Sequence, residues 1–221
     1  PGTWYAVTET WNGTNWTEDG DLNTAREITG QASGTSTAAL ACGGMNAPGS
    51  ALNLVEEWTG AGTPLGAWST GNDLNTAREV LAGAGASNTA VLAFGGYEPS
   101  YFAVTESYNG TNWTEVNDLN TAREDLAGAG TNTAALAFGG STGSRTGATE
   151  TWNGTNWTEV NDLVGARKQL AGAGTNTASL AFGGNTPPGG TTAETETWNG
   201  TNWTEVNDMN TARQQVSEQE Q

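Results

Sequence analysis

The chain predicts an all-β array of tandem four-stranded sheets, and three observations carry that expectation. A unit spanning residues 149–184 recurs in close copies along almost the whole sequence, apolar and β-favouring residues come in short runs broken by Gly and Asn, and no stretch shows a helical period. Self-similarity at a fixed period of this size marks a solenoid or a propeller, and short runs closed by turn residues mark strands.

The period is set by three recurring features. Aromatic pairs stand at Trp11/Trp16, Trp58/Trp68, Tyr108/Trp113, Trp152/Trp157 and Trp198/Trp203, and an arginine follows each pair at Arg26, Arg78, Arg123, Arg167 and Arg213. Successive arginines lie 52, 45, 44 and 46 positions apart, and Gly-Gly doublets close four units at Gly43-Gly44, Gly95-Gly96, Gly139-Gly140 and Gly183-Gly184. Five units are therefore marked, the fifth without its doublet.

Within the third unit, residues 126–130 (Leu-Ala-Gly-Ala-Gly) form the expected first strand, and their lack of bulk suits a place where sheets crowd around an axis. The second strand, residues 133–138 (Thr-Ala-Ala-Leu-Ala-Phe), puts Leu136 and Phe138 on one face and Ala135 and Ala137 on the other, so both faces are apolar and both should be buried. Sheets stacked face to face as propeller blades satisfy that demand. The third and fourth strands are the hairpin of residues 149–152 and 157–160, with Asn153-Gly154 as a tight-turn signal. Period-two geometry places Trp152 and Trp157 on one face, whichever two residues form the turn. Each indole buries on the order of 150–250 Å², which makes the tryptophans Trp16, Trp68, Trp113, Trp157 and Trp203 structural fillers of the wide outer gap between blades.

These residues resemble the Kelch repeat, whose blades end the second strand in Gly-Gly and carry an aromatic, then a Trp, then an Arg. The likeness covers essentially the whole chain and is nearest to the Thr/Ala/Gly-rich variants of bacteriophage and environmental bacterial proteins. The short Trp-Asn-Gly-Thr-Asn-Trp spacing departs from the usual longer one, and the second aromatic pair, Trp58 to Trp68, is longer again. The resemblance implies a β-propeller with five four-stranded blade positions and no linker. Units span about residues 24–70, 76–117, 121–160 and 165–206, and a composite blade joins residues 1–19 to 211–221. The chain opens as if in mid-blade, as a mature or fragment sequence would, and the composite blade has no evident second strand.

Composition excludes several functions. The 221 residues carry 24 acids against 7 bases, a formal charge of −17, and five of those bases are the once-per-unit Arg, with Arg145 and Lys168 to spare. Nucleic acid is not an expected partner, because phosphate contacts need clustered Lys and Arg. No apolar run is long enough to span a membrane. Histidine is absent, which removes nucleophilic triads and zinc sites, and neither metal nor cofactor is expected. A glycosidase carboxylate pair is the enzymatic route left, but Glu106, Glu150 and Glu196 recur at equivalent places, as structural residues do. Cys42, the only cysteine, replaces the Phe of Ala-Phe-Gly-Gly as a small core residue.

Two further recurrences bear on function. Asp21, Asp73, Asp118, Asp162 and Asp208 precede each Arg by five residues, as turn caps beside an Arg that pairs with an acid or carbonyl, or as rings around an axis that trap Ca²⁺ or an anion. Asn-Gly-Thr-Asn-Trp-Thr starts at Asn12, Asn109, Asn153 and Asn199, and each copy contains glycosylation acceptor sequences. The copies differ most in the loops after each Gly-Gly, and binding residues concentrate on loops held by a rigid scaffold. Tyr97, Tyr101, Phe102 and Arg145 are the candidate ligand contacts, for sugar stacking or a protein partner. The expectation is a non-enzymatic recognition module, extracellular or on a virion surface. By resemblance it is tail-fibre or adhesin-like, with cell-surface glycan as ligand; the alternative is a structural subunit that polymerises by strand donation at the open blade.

Overall fold

The structure is a computed structural model that describes residues 5–27, 33–35, 37–46, 49–60 and 66–214. Among the described residues there is no helix, and hence none long and apolar enough to cross a membrane. Four antiparallel sheets of four strands follow one another along the chain, each wound in simple sequence order. The first holds Ser33–Thr35, Ala38–Cys42, Val55–Thr59 and Ala67–Thr70, and the second Ala82–Ser87, Ala90–Phe94, Thr105–Tyr108 and Trp113–Val116. The third holds Ala127–Thr131, Ala134–Phe138, Thr149–Trp152 and Trp157–Val160, and the fourth Ala171–Thr175, Ala178–Phe182, Thr195–Trp198 and Trp203–Glu205. A two-stranded hairpin, Glu9–Trp11 with Trp16–Glu18, precedes them. Residues 215–221, most of the C-terminal half of the expected composite blade, lie outside the described residues.

The first strands of neighbouring sheets lie against each other, and their small residues are what allow it. A Cβ on Gly128 would sit 2.5 Å from the Gly83 carbonyl oxygen and 2.8 Å from Phe94. The second strand of the third sheet behaves as its two apolar faces require, with Ala135, Leu136, Ala137 and Phe138 all 0 % exposed, whereas in the fourth sheet Leu180 is exposed. Between sheets, Phe94 meets Trp157 and Phe138 meets Trp203 with ring centroids 4.9 Å apart. The doublets mark where chain passes close to chain: Gly139 has φ 69°, and a Cβ there would lie 2.8 Å from the Arg167 carbonyl oxygen.

The strand pairing of the third sheet's outer hairpin ends at Trp152 and Trp157. Beyond it the Asn153 N–H donates to the Asn156 carbonyl at 3.3 Å, so the chain turns over Gly154-Thr155, one of the two-residue turns the sequence allows. The carboxamide oxygen of Asn153 accepts the backbone N–H groups of Thr155 and Asn156 at 2.9 Å each and caps that turn. The two indoles still share a face, with centroids 5.4 Å apart.

Candidate functional site

Four of the recurring arginines are buried ion-pair centres. Arg78, Arg123 and Arg167 are 0 % exposed and Arg26 5 %. Each pairs with the glutamate in the third strand of the sheet that the chain is about to form: Arg26 with Glu56, Arg78 with Glu106, Arg123 with Glu150, and Arg167 with Glu196. Arg123 donates to Glu150 Oε1 at 3.0 Å and to the Gly139 carbonyl at 3.1 Å, while Glu150 Oε2 accepts both the backbone N–H and the side-chain amide of Asn120. Burial pushes the guanidinium of Arg26 and Arg123 below the usual range, against the pull of Glu56 and Glu150, but arginine stays charged at any ordinary pH. Arg213 is exposed and makes no ion pair among the described residues.

The recurring aspartates cap strands. Asp118, Asp162 and Asp208 accept the backbone N–H of Thr105, Thr149 and Thr195 at 3.1, 3.1 and 3.2 Å. Among the described residues no group of three or more Cys, Asp or Glu could hold a metal ion. The asparagine just before Asp73, Asp118 and Asp162, which sequence reasoning passed over, ties one sheet to the next. Asn117 Nδ2 donates to the Thr155 carbonyl and Asn156 Oδ1, Asn161 Nδ2 to Thr201 and Asn202, and Asn72 Nδ2 to Thr111 and Asn112. Its recurrence before Asp73, Asp118, Asp162 and Asp208 was the available signal, with Gly20 in its place before Asp21. A third tie uses the fillers: the indole N–H of Trp157 and of Trp203 reaches the hydroxyl of Thr105 and of Thr149 in the preceding sheet, and that of Trp68 reaches Thr8. Trp113 is buried but its N–H has no partner among the described residues, where Val55 stands in the place of the others' threonine.

Loops after the Gly-Gly doublets meet the fourth-to-first connections, through backbone bridges Glu27 to Met45, Glu79 to Tyr97, Glu124 to Ser141 and Lys168 to Asn185. Of the candidate ligand contacts, Tyr97 and Tyr101 come together, bridged through the backbone, with rings edge to face at 5.5 Å and both half-buried. Phe102 serves through its main chain, donating to the Gly96 carbonyl and accepting from Arg123 N–H at 3.0 Å. Arg145 sits in the next such loop and is tied by its Nε to Asn185 Oδ1 at 2.7 Å. The loops adjoin, since a Cβ on Gly143 would fall 3.5 Å from the Tyr101 hydroxyl.

Across the backbone bridge from Tyr97 stands Glu79, a group that sequence reasoning missed. Burial, with Glu98, Asp125 and Glu27 close by, holds the Glu79 carboxyl above the usual carboxylate range. Asp125 pairs with Lys168 at 3.0 Å. Val80, Asp125 and Gln169 all adopt left-handed backbone, with φ 48°, 55° and 56°, and link sheet to sheet: Asp125 N–H donates to the Val80 carbonyl and Gln169 N–H to the Asp125 carbonyl. For β-branched Val80 this conformation costs on the order of 1–2 kcal/mol, and only the ladder explains why it is kept.

Asn12, Asn109, Asn153 and Asn199 occupy exposed hairpin tips, each capping its own loop. Cys42 is a buried free thiol, pushed up to about 11 by burial. An open depression of about 350 Å³ between Asn120, Trp157, Thr158 and Glu159 contains none of the candidate contacts. No protein-family model matches the chain, and a search of curated proteins finds no relative.

Proposed function

We propose that this chain is a non-enzymatic recognition module, a Kelch-like β-propeller that binds cell-surface carbohydrate through its variable loops on a cell exterior or virion surface. Tandem sheets that stack through slim first strands and indole-filled outer strands support the propeller reading. The buried glutamates support a non-catalytic one, since Glu150 has both oxygens engaged by Arg123 and Asn120 and its counterparts are likewise ion-paired. The observation that carries the ligand class is the Tyr97–Tyr101 pair, half-buried at 5.5 Å, with Glu79 bridged to Tyr97 through the backbone. Aromatic faces stack on the apolar faces of sugar rings, and a nearby carboxylate accepts from sugar hydroxyls.

A glycan array followed by calorimetry on the best hit tests this. Wild type should bind a glycan, and Tyr101→Ala should weaken binding about tenfold, the weight of roughly 1.4 kcal/mol, with an unchanged melting temperature. A folded wild type that retains no glycan, or a Tyr97→Ala, Tyr101→Ala double variant that binds as tightly, would overturn the reading.

A further inference from the structure

We propose that the outward face of the fourth sheet receives the Glu9–Trp11/Trp16–Glu18 hairpin of a second copy of this chain, joining copies head to tail. The inference is independent of the glycan reading, because it rests on the repeated joint between sheets, and it seats another copy's hairpin where ring closure within one chain would seat the chain's own.

That joint is built the same way at each step. A leucine in the second strand is sealed by the following sheet, a phenylalanine or its substitute meets the next filler tryptophan, and an asparagine reaches the tip of the next outer hairpin. The connecting arginine then pairs with the next third-strand glutamate. Leu92 and Leu136 are 0 % exposed as a result, and Trp157 and Trp203 5 %.

Two unmatched halves of the same joint remain on the surface. On the fourth sheet Leu180 is 43 % exposed, and Asn207 and Arg213 are exposed in the places of Asn161 and Arg167. On the hairpin Trp11 is 48 % and Trp16 64 % exposed, and Glu9 is exposed in the place of Glu150. Trp16 thus departs from the buried role expected of the fillers, because no second strand lies over it among the described residues. The charges are complementary: Arg213 has no acid and Glu9 no base among the described ion pairs.

Both halves are already in the repeat's geometry. Arg213 N–H donates to the Thr192 carbonyl and its own carbonyl accepts from Gly184 N–H at 2.9 Å, as Arg167 is held by Thr146 and Gly140. The Trp11 and Trp16 rings lie 5.6 Å apart at 46°, against 5.4 Å and 45° for Trp152 and Trp157. The hairpin's other side is held on the first sheet through the bond of Trp68 to Thr8 and that of Gly66 to Asp19. It makes no hydrogen bond or ring contact with the fourth sheet among the described residues. A joint between unlike surfaces of identical chains propagates, so copies should add in series.

Sedimentation of the purified chain, with Leu180→Glu and Trp16→Glu as variants at exposed sites, decides the matter. The wild-type mass should rise with concentration through dimer and beyond, and each variant alone should stay monomeric with a circular dichroism spectrum like wild type. Mixed in equal amounts, the two variants should stop at a dimer, since the Leu180→Glu chain keeps its hairpin and the Trp16→Glu chain keeps its face. A wild type that is monomeric at every concentration overturns the proposal. If Trp16 fluorescence is then already blue-shifted, the chain's own hairpin is the occupant; if it is not, the face has no such occupant. A variant mixture with no dimer overturns it equally.

Discussion

Replacing Glu150 by Ala tests the ion-pair lattice at its centre. The carboxylate is 1 % exposed and its Arg123 partner 0 %. It accepts from Arg123 at 3.0 Å and from the backbone and side chain of Asn120 at 2.7 and 2.8 Å. Removing it leaves a buried guanidinium without a counter-charge, which costs about 3–5 kcal/mol, and orphans the Asn120 N–H, worth about 1–3 kcal/mol more if taken alone. Because the groups share one network the losses overlap, and about 4 kcal/mol is the working figure for the whole. For a chain of this size that corresponds to a fall in Tm of roughly 8–16 °C, at about 2–4 °C per kcal/mol. Urea titration followed by tryptophan fluorescence and by far-ultraviolet circular dichroism reads it. Glu159, directly across the strand pair from Glu150 but exposed, is the control, and Glu159→Gln should change stability by less than about 0.5 kcal/mol. Adding Arg123→Met to Glu150→Ala removes the stranded charge and should recover part of the loss. A cost for Glu150→Ala below about 1 kcal/mol, the range of a surface pair, would refute the reasoning.

Two other outcomes follow from single residues. Val55→Thr places a hydroxyl where Thr105 and Thr149 already receive an indole N–H, so it should stabilise the chain by about 1 kcal/mol; a loss in the urea midpoint would show that Trp113 cannot reach position 55. Cys42 holds its proton in the folded state up to about pH 11, whereas an exposed thiol releases it near 9.0, so its contribution to stability is constant below pH 9 and falls as pH rises from there toward 11. The slope of that fall should be shallower in Cys42→Ala, and the native thiol should react with an exposed-thiol reagent only as fast as the chain opens; immediate labelling would contradict its burial.

Much of this protein was legible before any coordinates. Strand order, the slim first strands and the filler role of the paired indoles all follow from the repeat itself, because side-chain volume and period-two alternation are local properties that each copy restates. The caps at Asp118, Asp162 and Asp208 were legible for the same reason. Which acid neutralises each arginine was not, since Arg123 and Glu150 are brought together only when the two strands between them have paired with the third, which carries Glu150. Nor was the asparagine tie from Asn117 to the Thr155–Asn156 tip, a contact between sheets. The grouping of Tyr97 and Tyr101 beside Glu79 also depends on tertiary structure: it requires a loop and a connection from different parts of a unit to meet through backbone bridges.

The motif Trp-Asn-Gly-Thr-Asn-Trp states the limit most plainly. It reads identically at residues 11–16 and 152–157, and both copies form the same hairpin with nearly the same ring geometry, as short-range chemistry dictates. Yet Trp157 is 5 % exposed and Trp16 64 %. Burial belongs to what lies opposite, and whether a sheet stands over an indole is decided by the arrangement of the whole array, which no six-residue stretch contains.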